Sequence, residues 1–162
     1  MLEIPPIVRN KAVLAGAEAW LGVLPELVAG IEADWAIEVG PAYTDSTEAF
    51  VARATCADGR PAVLKLLMPR PGDATRNEVT ALRLARGRGC VELLREDQDR
   101  DALLLERLGR PLQQLGLPIA DRHEILCATA MRVWRPAPES GLPTGAEKGR
   151  RLTAFILETW GS

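Results

Sequence analysis

Apolar residues follow a helical period in the first part of the chain and alternate with polar residues after it. The segment from Asn10 to about Ile31 is rich in Ala, Leu and Glu, which predicts helix. Pro25 lies inside this segment, and because proline fits the first turn of a helix, we expect a second, short helix to begin there. Residues 35–43 form an apolar run that predicts a strand. Residues 48–56 alternate, with one face formed by Phe50, Ala52, Ala54 and Cys56.

Two hairpins are predicted in the middle of the chain. Asp58-Gly59 is a strong turn signal, and it joins the alternating strand to a returning apolar strand over residues 61–68. The runs CVELLRE and ALLLERL, joined by the charged turn DQDRD, form the second hairpin. Between the hairpins, residues 72–86 have the period of an amphipathic helix. A five-stranded, mainly antiparallel sheet with one packed helix is an α+β fold.

The last third of the chain is predicted to be helical. A helix is expected from about Ile119 to Trp134, followed by a linker rich in proline and glycine and a last amphipathic helix, RRLTAFILETW. The predicted division of the chain is therefore into N-terminal helices (1–34), a sheet unit (35–111) and C-terminal helices (112–162).

Charge, hydropathy and cysteine spacing exclude several classes of protein. The net charge of the 162 residues is −2, which gives no basic field to hold nucleic acid or an anionic membrane. The N-terminus has no apolar signal core, and no segment approaches the length that spans a bilayer. The three cysteines are scattered and form no C-x-x-C pair, which is typical of reduced thiols. These features predict a cytoplasmic protein.

One charge interrupts the apolar strand AVLKLLM. Lys65 shares a strand face with Val63 and Leu67, and an unpaired buried ammonium is very costly. In the following helix Glu78 lies in the middle of the apolar face, which is formed by Ala74, Ala81, Leu82 and Ala85. The two charges explain each other if they form an ion pair. The alternative is that Lys65 reaches water at the sheet margin and Glu78 belongs to a solvated face.

The order of these elements resembles the small lobe of kinase-like phosphotransferases. The stretches DGRPAVLKLLMP, NEVTALRLARGRGCVELL and DALLLERLGRPL are similar to the aminoglycoside/hydroxyurea phosphotransferases, which include streptomycin 6-phosphotransferases. The resemblance implies a protein-kinase-like fold, ATP as cofactor, with magnesium in the complete enzyme, and a small molecule with a hydroxyl group as acceptor. It identifies the chain as a small lobe with its hinge and the first helices of an incomplete large lobe.

The resemblance also implies roles for individual residues. Lys65 would bind the α- and β-phosphates of ATP, and Glu78 would hold the lysine in place. Val63 would cover the adenine, and Leu105 would line the back of its pocket. The remaining two implied contacts come from the main chain, as the carbonyl of Glu106 and the N–H of Leu108.

Two departures from the family pattern matter. The loop that would cover the phosphates holds a single glycine, Gly40, so Ser46 and Thr47 are the candidate donors there, beside the negative charges of Asp45 and Glu48. The H-x-D-x-x-x-x-N segment that supplies the catalytic Asp and a metal-binding Asn is missing, since the single histidine is followed by Glu and Ile. We therefore expect this chain alone to be catalytically inactive, with no catalytic or metal-binding residue to name.

The expected truncation has a consequence for the surface. The two C-terminal helices should expose apolar residues, which predicts self-association or partial disorder past residue 136. Two alternatives remain open at this point. The chain could be a pseudokinase-like protein-interaction module, or an unrelated α+β domain whose Lys65 and Glu78 are simply a buried pair.

Overall fold

The computed structural model describes residues 2–70 and 73–160, and this part of the chain forms five α-helices and a five-stranded sheet. The helices are α1 (Pro6–Leu14), α2 (Glu18–Trp35), α3 (Ala74–Ala85), α4 (Ile119–Val133) and α5 (Gly145–Trp160). The strands are β1 (Ile37–Ala42), β2 (Ala49–Cys56), β3 (Pro61–Leu67), β4 (Leu93–Asp97) and β5 (Ala102–Glu106). A short 3-10 turn, Leu112–Gln114, precedes α4.

The sheet has the order β1-β2-β3-β5-β4, and each neighbouring pair is antiparallel. Both predicted hairpins, β2–β3 and β4–β5, are present. The crossover through α3 brings β5 next to β3, so the strand with the interior lysine lies at the centre of the sheet. The α+β architecture predicted from the sequence is confirmed.

One face of the sheet is covered by the N-terminal helices. The alternating residues Phe50, Ala52 and Ala54 of β2 are buried on this face. The α2 residues that meet the sheet recur at helical spacing and include two tryptophans: Trp20, Leu24, Val28, Ile31 and Trp35. This packing forms the main hydrophobic core, because nearly every apolar side chain of α2 that faces the sheet is removed from water.

The predicted helix break at Pro25 is wrong. Pro25 lies inside α2, which continues from Glu18 to Trp35, and its ring is on the exposed side. The break occurs earlier, at Gly16, whose φ of 68° is left-handed. There the Ala17 N–H donates to the Ala12 carbonyl at 2.8 Å and the Gly16 N–H donates to the Val13 carbonyl at 3.1 Å. These two bonds form a Schellman motif, a common helix ending at glycine.

The opposite face of the sheet packs against α3. Val79 is buried at 1% exposure, and Ala85 is also buried, whereas Ala74 and Ala81 are exposed. The predicted inward face of the helix is therefore rotated, because Val79 has more apolar area to remove from water than an alanine. Leu82 is half-buried, in agreement with the prediction.

The C-terminal helices α4 and α5 carry exposed apolar residues, as predicted. Their exposed large side chains include Ile119, Leu126, Met131, Leu152, Phe155, Leu157 and Trp160, and Trp134, directly after α4, is also exposed. In the described part of the chain, no helix combines the length and the apolar character that crossing a bilayer requires.

Candidate nucleotide site

Lys65 is placed by the register of the central strand. It pairs with Val51 of β2 on one side and with Leu103 of β5 on the other. Paired residues in a sheet project to the same face, so Lys65 emerges between two apolar neighbours on the side that α3 covers. Leu103 is fully buried there, and it belongs to the same apolar cluster as Val79.

The side chains of Lys65 and Glu78 form the predicted ion pair. The Lys65 Nζ donates to Glu78 Oε1 at 2.6 Å, across the space between β3 and α3. The two side chains retain 25% and 30% of their exposure, so both charges are partly desolvated without being sealed off. A carboxylate in this place fixes the direction of a flexible ammonium and leaves its remaining protons available to another anion.

An apolar wall lies beside the ion pair. Val63 is half-buried and Leu105 is 8% exposed, and the two residues pair across β3 and β5. Both pack into the cluster around Val79 and Leu103. This wall and the lysine share one face of the sheet. Sequence reasoning missed Leu103 and Val79, which support the wall from inside.

The segment after β5 presents main-chain groups next to this wall. The Glu106 N–H donates to the Glu92 carbonyl at 2.9 Å, and its carboxylate accepts from the Glu92 N–H at 3.2 Å. Glu106 is thereby tied to the segment before β4. Leu108 follows outside the strand, with its side chain 60% exposed. Within residues 2–70 and 73–160, its N–H donates no hydrogen bond to another protein group.

The β1–β2 loop holds the two predicted hydroxyl donors. The Ser46 hydroxyl donates to the Tyr43 carbonyl at 3.3 Å, and Thr47 is exposed. Neither forms a hydrogen bond with Lys65 in the part of the chain that is described. The negative charge expected from Glu48 is paired, because its carboxylate lies 3.0 Å from Arg70 Nη1.

Two clefts of the described surface border α3. One is lined by Leu82 and Arg86, between α3 and β4, and another lies at the first turn of α3 beside Thr75. Neither Lys65 nor Glu78 lines these clefts, so they do not outline an adenine pocket around Val63. The structure thus brings together the ion pair and the apolar wall, whereas the hydroxyls of the loop stand apart.

The fold and the ion pair define the class of protein. A five-stranded antiparallel sheet whose third strand carries a lysine paired with a glutamate of the following helix is the small lobe of a kinase-like phosphotransferase. The chain belongs to the family of aminoglycoside/hydroxyurea antibiotic resistance kinases, which matches residues 32–146. The resemblance inferred from the sequence is confirmed.

Three curated relatives are similar to the chain. A hydroxyurea phosphotransferase of Kitasatospora aureofaciens is 45% identical over 143 residues, which cover 85% of this chain and 41% of that protein. A streptomycin 6-kinase of Streptomyces glaucescens is 36% identical over 111 residues, covering 67% of this chain and 36% of the relative. A streptomycin 6-kinase of Streptomyces griseus is 37% identical over 110 residues, covering 66% and 35%. The chain thus spans well under half the length of these relatives. No solved structure gives a significant match.

Proposed function

We propose that this chain is the nucleotide-binding portion of an ATP-dependent phosphotransferase. The complete enzyme would transfer the γ-phosphate of ATP to an alcohol group of an aminoglycoside-like or hydroxyurea-like small molecule, and so act in antibiotic resistance. The single observation that supports this most is the 2.6 Å contact between Lys65 and Glu78 on the sheet face covered by α3. The names of the relatives, streptomycin 6-kinase and hydroxyurea phosphotransferase, support the acceptor class.

Each residue of the site would have a separate task. Lys65 would bind the α- and β-phosphates, and Glu78 would keep its ammonium oriented. Val63 and Leu105 would contact the adenine ring. The main chain at Glu106 and Leu108, whose carbonyl and N–H follow the wall, would bind the edge of the base. Ser46 and Thr47 would approach the phosphates.

We propose that the chain by itself binds nucleotide without turnover. ATP supplies the phosphoryl group, but the catalytic Asp and the metal-binding Asn of the H-x-D-x-x-x-x-N segment do not occur in the 162 residues. Among the described residues, no group of three or more His, Cys, Asp or Glu side chains is placed to hold a metal ion. In this proposal the nucleotide binds to this chain, and the resemblance implies magnesium for the complete enzyme.

A nucleotide titration followed by NMR tests the proposal. We expect ATP to shift backbone resonances clustered around Val63, Lys65, Glu106 and Leu108. Lys65→Ala should weaken binding by about tenfold or more, because a hydrogen bond between charged groups contributes roughly 1.5–3 kcal/mol. Lys11→Ala is the control, since Lys11 is an exposed lysine of α1. Shifts that lie elsewhere, or that persist unchanged in Lys65→Ala, would contradict the site.

A second candidate function is a non-catalytic interaction module. The exposed apolar residues of α4 and α5 favour it, because large exposed apolar patches commonly mark protein–protein contacts. The two candidates differ in a thermal-shift measurement. A nucleotide portion is stabilised by ATP, whereas an interaction module shows no shift with ATP and forms a complex with a protein partner.

A further inference from the structure

The β4–β5 turn, counted from Asp97 at the end of β4 to Asp101, contacts both elements that carry the ion pair. On α3, the Thr75 hydroxyl donates to Asp101 Oδ1 at 2.5 Å. On β3, the Leu67 N–H donates to the Asp101 carbonyl at 2.9 Å. Asp101 thus binds the helix with its side chain and the strand with its main chain. The two contacts lie close in sequence to the two charges, since Leu67 is two residues after Lys65 and Thr75 is three before Glu78.

The spacing on α3 makes the contact relevant to Glu78. Residues three apart in a helix lie on the same side, one turn above the other, so Thr75 and Glu78 both face the sheet. Both are half-buried, whereas Arg76 between them is exposed. A hydroxyl fixed at the first turn therefore limits how far the helix can slide or rotate at the turn that carries the glutamate.

Asp101 is itself held in one place. Its φ of 49° is left-handed, a conformation that aspartate adopts more readily than most residues with a side chain. The neighbouring Arg100 donates from Nε to Asp97 Oδ2 at 2.7 Å and lies 2.7 Å from Asp34 Oδ2 of α2. The turn is therefore also tied to α2, which packs on the other face of the sheet.

Few side chains of α3 are buried. Val79 and Ala85 are its buried residues. The other ion pair of the helix, Arg83 with Glu96 at 2.6 Å, lies beyond Glu78 in the C-terminal part of the helix. In the described part of the chain, Thr75 makes the side-chain hydrogen bond that ties the first turn of α3 to the β4–β5 turn.

We propose that Thr75 and Asp101 are positioning residues of the nucleotide site. Their hydrogen bond fixes the position of α3 relative to the β4–β5 turn, so that the Glu78 carboxylate contacts the Lys65 ammonium. The predicted effect on ATP binding rests on the proposed function, whereas the predicted effect on the Lys65 side chain does not. Neither residue would touch ATP.

The first experiment compares three single variants of α3. Thr75→Val removes the hydroxyl and keeps the shape, Thr75→Ser restores a hydroxyl, and Thr80→Val makes the same change at a half-buried threonine of the same helix. We expect Thr75→Val to weaken ATP binding about three- to tenfold, the effect of one hydrogen bond. Thr75→Ser and Thr80→Val should bind ATP like the unchanged chain.

A second readout follows the ion pair without nucleotide. The NMR signal of the Lys65 side-chain Cε–Nζ group should move in Thr75→Val toward its position in Glu78→Gln, and should stay in place in Thr80→Val. In the Lys65→Ala background, Thr75→Val should cause no further loss of ATP binding. A merely structural role for Thr75 would lower stability and leave the Lys65 signal unchanged.

Asp101→Gly covers the case in which Thr75→Val does not fold. Glycine suits the left-handed conformation at this position, so the variant keeps the turn and loses only the acceptor. It should reproduce the Lys65 shift and the weaker ATP binding. If the unchanged chain fails to bind ATP, the proposed function fails, and a moved Lys65 signal still supports the positioning role. If the chain binds ATP and both Thr75→Val and Asp101→Gly leave affinity and signal unchanged, the positioning role is overturned.

Discussion

Asp97 and Arg100 show how a charged turn is stabilised by its own side chains. Asp97 Oδ1 accepts from the N–H groups of Asp99 and Arg100, each at 3.0 Å, and Oδ2 accepts from the Arg100 guanidinium. Burial acts to raise the pKa of Asp97, but the hydrogen bonds and the charge of Arg100 outweigh it, so the pKa lies below the ordinary value of 3.8. The same contacts raise the pKa of Arg100.

The depressed pKa of Asp97 predicts an acid-dependent part of the stability. In the unfolded chain Asp97 takes up a proton near its ordinary pKa of 3.8, and in the folded chain only at lower pH. Its contribution is therefore present above that value and is lost as the pH falls through the lowered pKa. Asp97→Asn should cost stability at pH 6, and the difference from the unchanged chain should shrink toward pH 3. Urea unfolding at several pH values measures this difference in the free energy of unfolding.

Asp99→Asn is the matched control for this prediction. Asp99 lies in the same turn and is exposed, and the substitution changes the net charge by the same amount. It should leave the pH dependence of unfolding close to that of the unchanged chain. An identical pH dependence for the two variants would show that the Asp97–Arg100 contact does not stabilise the fold.

The residues of the ion pair could be predicted because they break a pattern. Lys65 interrupts an apolar strand and Glu78 lies next to the buried side of a helix, so each was expected to have a partner of opposite charge. Thr75 and Asp101 could not be found in this way. They are 26 residues apart, both are polar residues in polar surroundings, and neither disturbs the hydrophobic period. Their contact follows from how α3 and the β4–β5 turn pack.

Helix ends are the least predictable elements, although the sequence holds their signals. The helix start predicted at Pro25 is wrong because the apolar stripe of α2 continues through this residue, and packing of the stripe outweighs the lost backbone hydrogen bond. The start of α5 also lies earlier than predicted. Thr144 and Glu147 form a capping box there, in which the Thr144 N–H donates to Glu147 Oε2 at 2.6 Å. The T-x-x-E spacing in TGAE is the available signal.

Close packing between α4 and the segment after α3 predicts an effect of Gly89. A β-carbon there would lie 2.7 Å from the Thr129 carbonyl oxygen and 2.9 Å from a methyl group of Val133. Gly89→Ala should therefore push α4 away and raise amide hydrogen exchange over residues 119–133 by about tenfold, the effect of a contact worth roughly 1.4 kcal/mol.

Gly87→Ala separates the clash from backbone strain. Gly87 has a φ of 70° against 76° for Gly89, so alanine is strained equally at both positions. The β-carbon at Gly87 would meet nothing closer than 3.7 Å. We expect this variant to lower stability without a selective rise of exchange in α4. Equal exchange in the two variants would mean that α4 does not pack on Gly89.

The molecule as a whole combines a packed sheet unit with two helices that present apolar side chains to water. Phe155 is 57% exposed and Trp160 is 70% exposed, although their rings contact each other edge to face at 6.2 Å. The family resemblance predicts this exposure. The sequence predicts an apolar side on each helix, but an amphipathic pattern does not determine whether another surface packs against that side.

The exposed stripe of α5 predicts self-association. We expect the chain to form dimers or larger species at micromolar concentration, because pairing removes apolar side chains from water. Phe155→Glu should weaken the association about tenfold or more, the effect of losing roughly 1.5–3 kcal/mol of apolar burial. Ala154→Glu adds the same charge on the side of the helix opposite the centre of the stripe and should have little effect. Analytical ultracentrifugation measures both, and a clean monomer at all concentrations contradicts the prediction.

The arrangement of the helices also sorts the four tryptophans into two pairs. Trp20 and Trp35 lie under the sheet at 7% and 9% exposure, whereas Trp134 and Trp160 are 78% and 70% exposed. In the monomer we therefore expect the fluorescence to be the sum of a blue-shifted pair, shielded from a soluble quencher such as iodide, and a red-shifted pair that the quencher reaches. Trp20 and Trp35 thus report on the core, and Trp134 and Trp160 report on the C-terminal region.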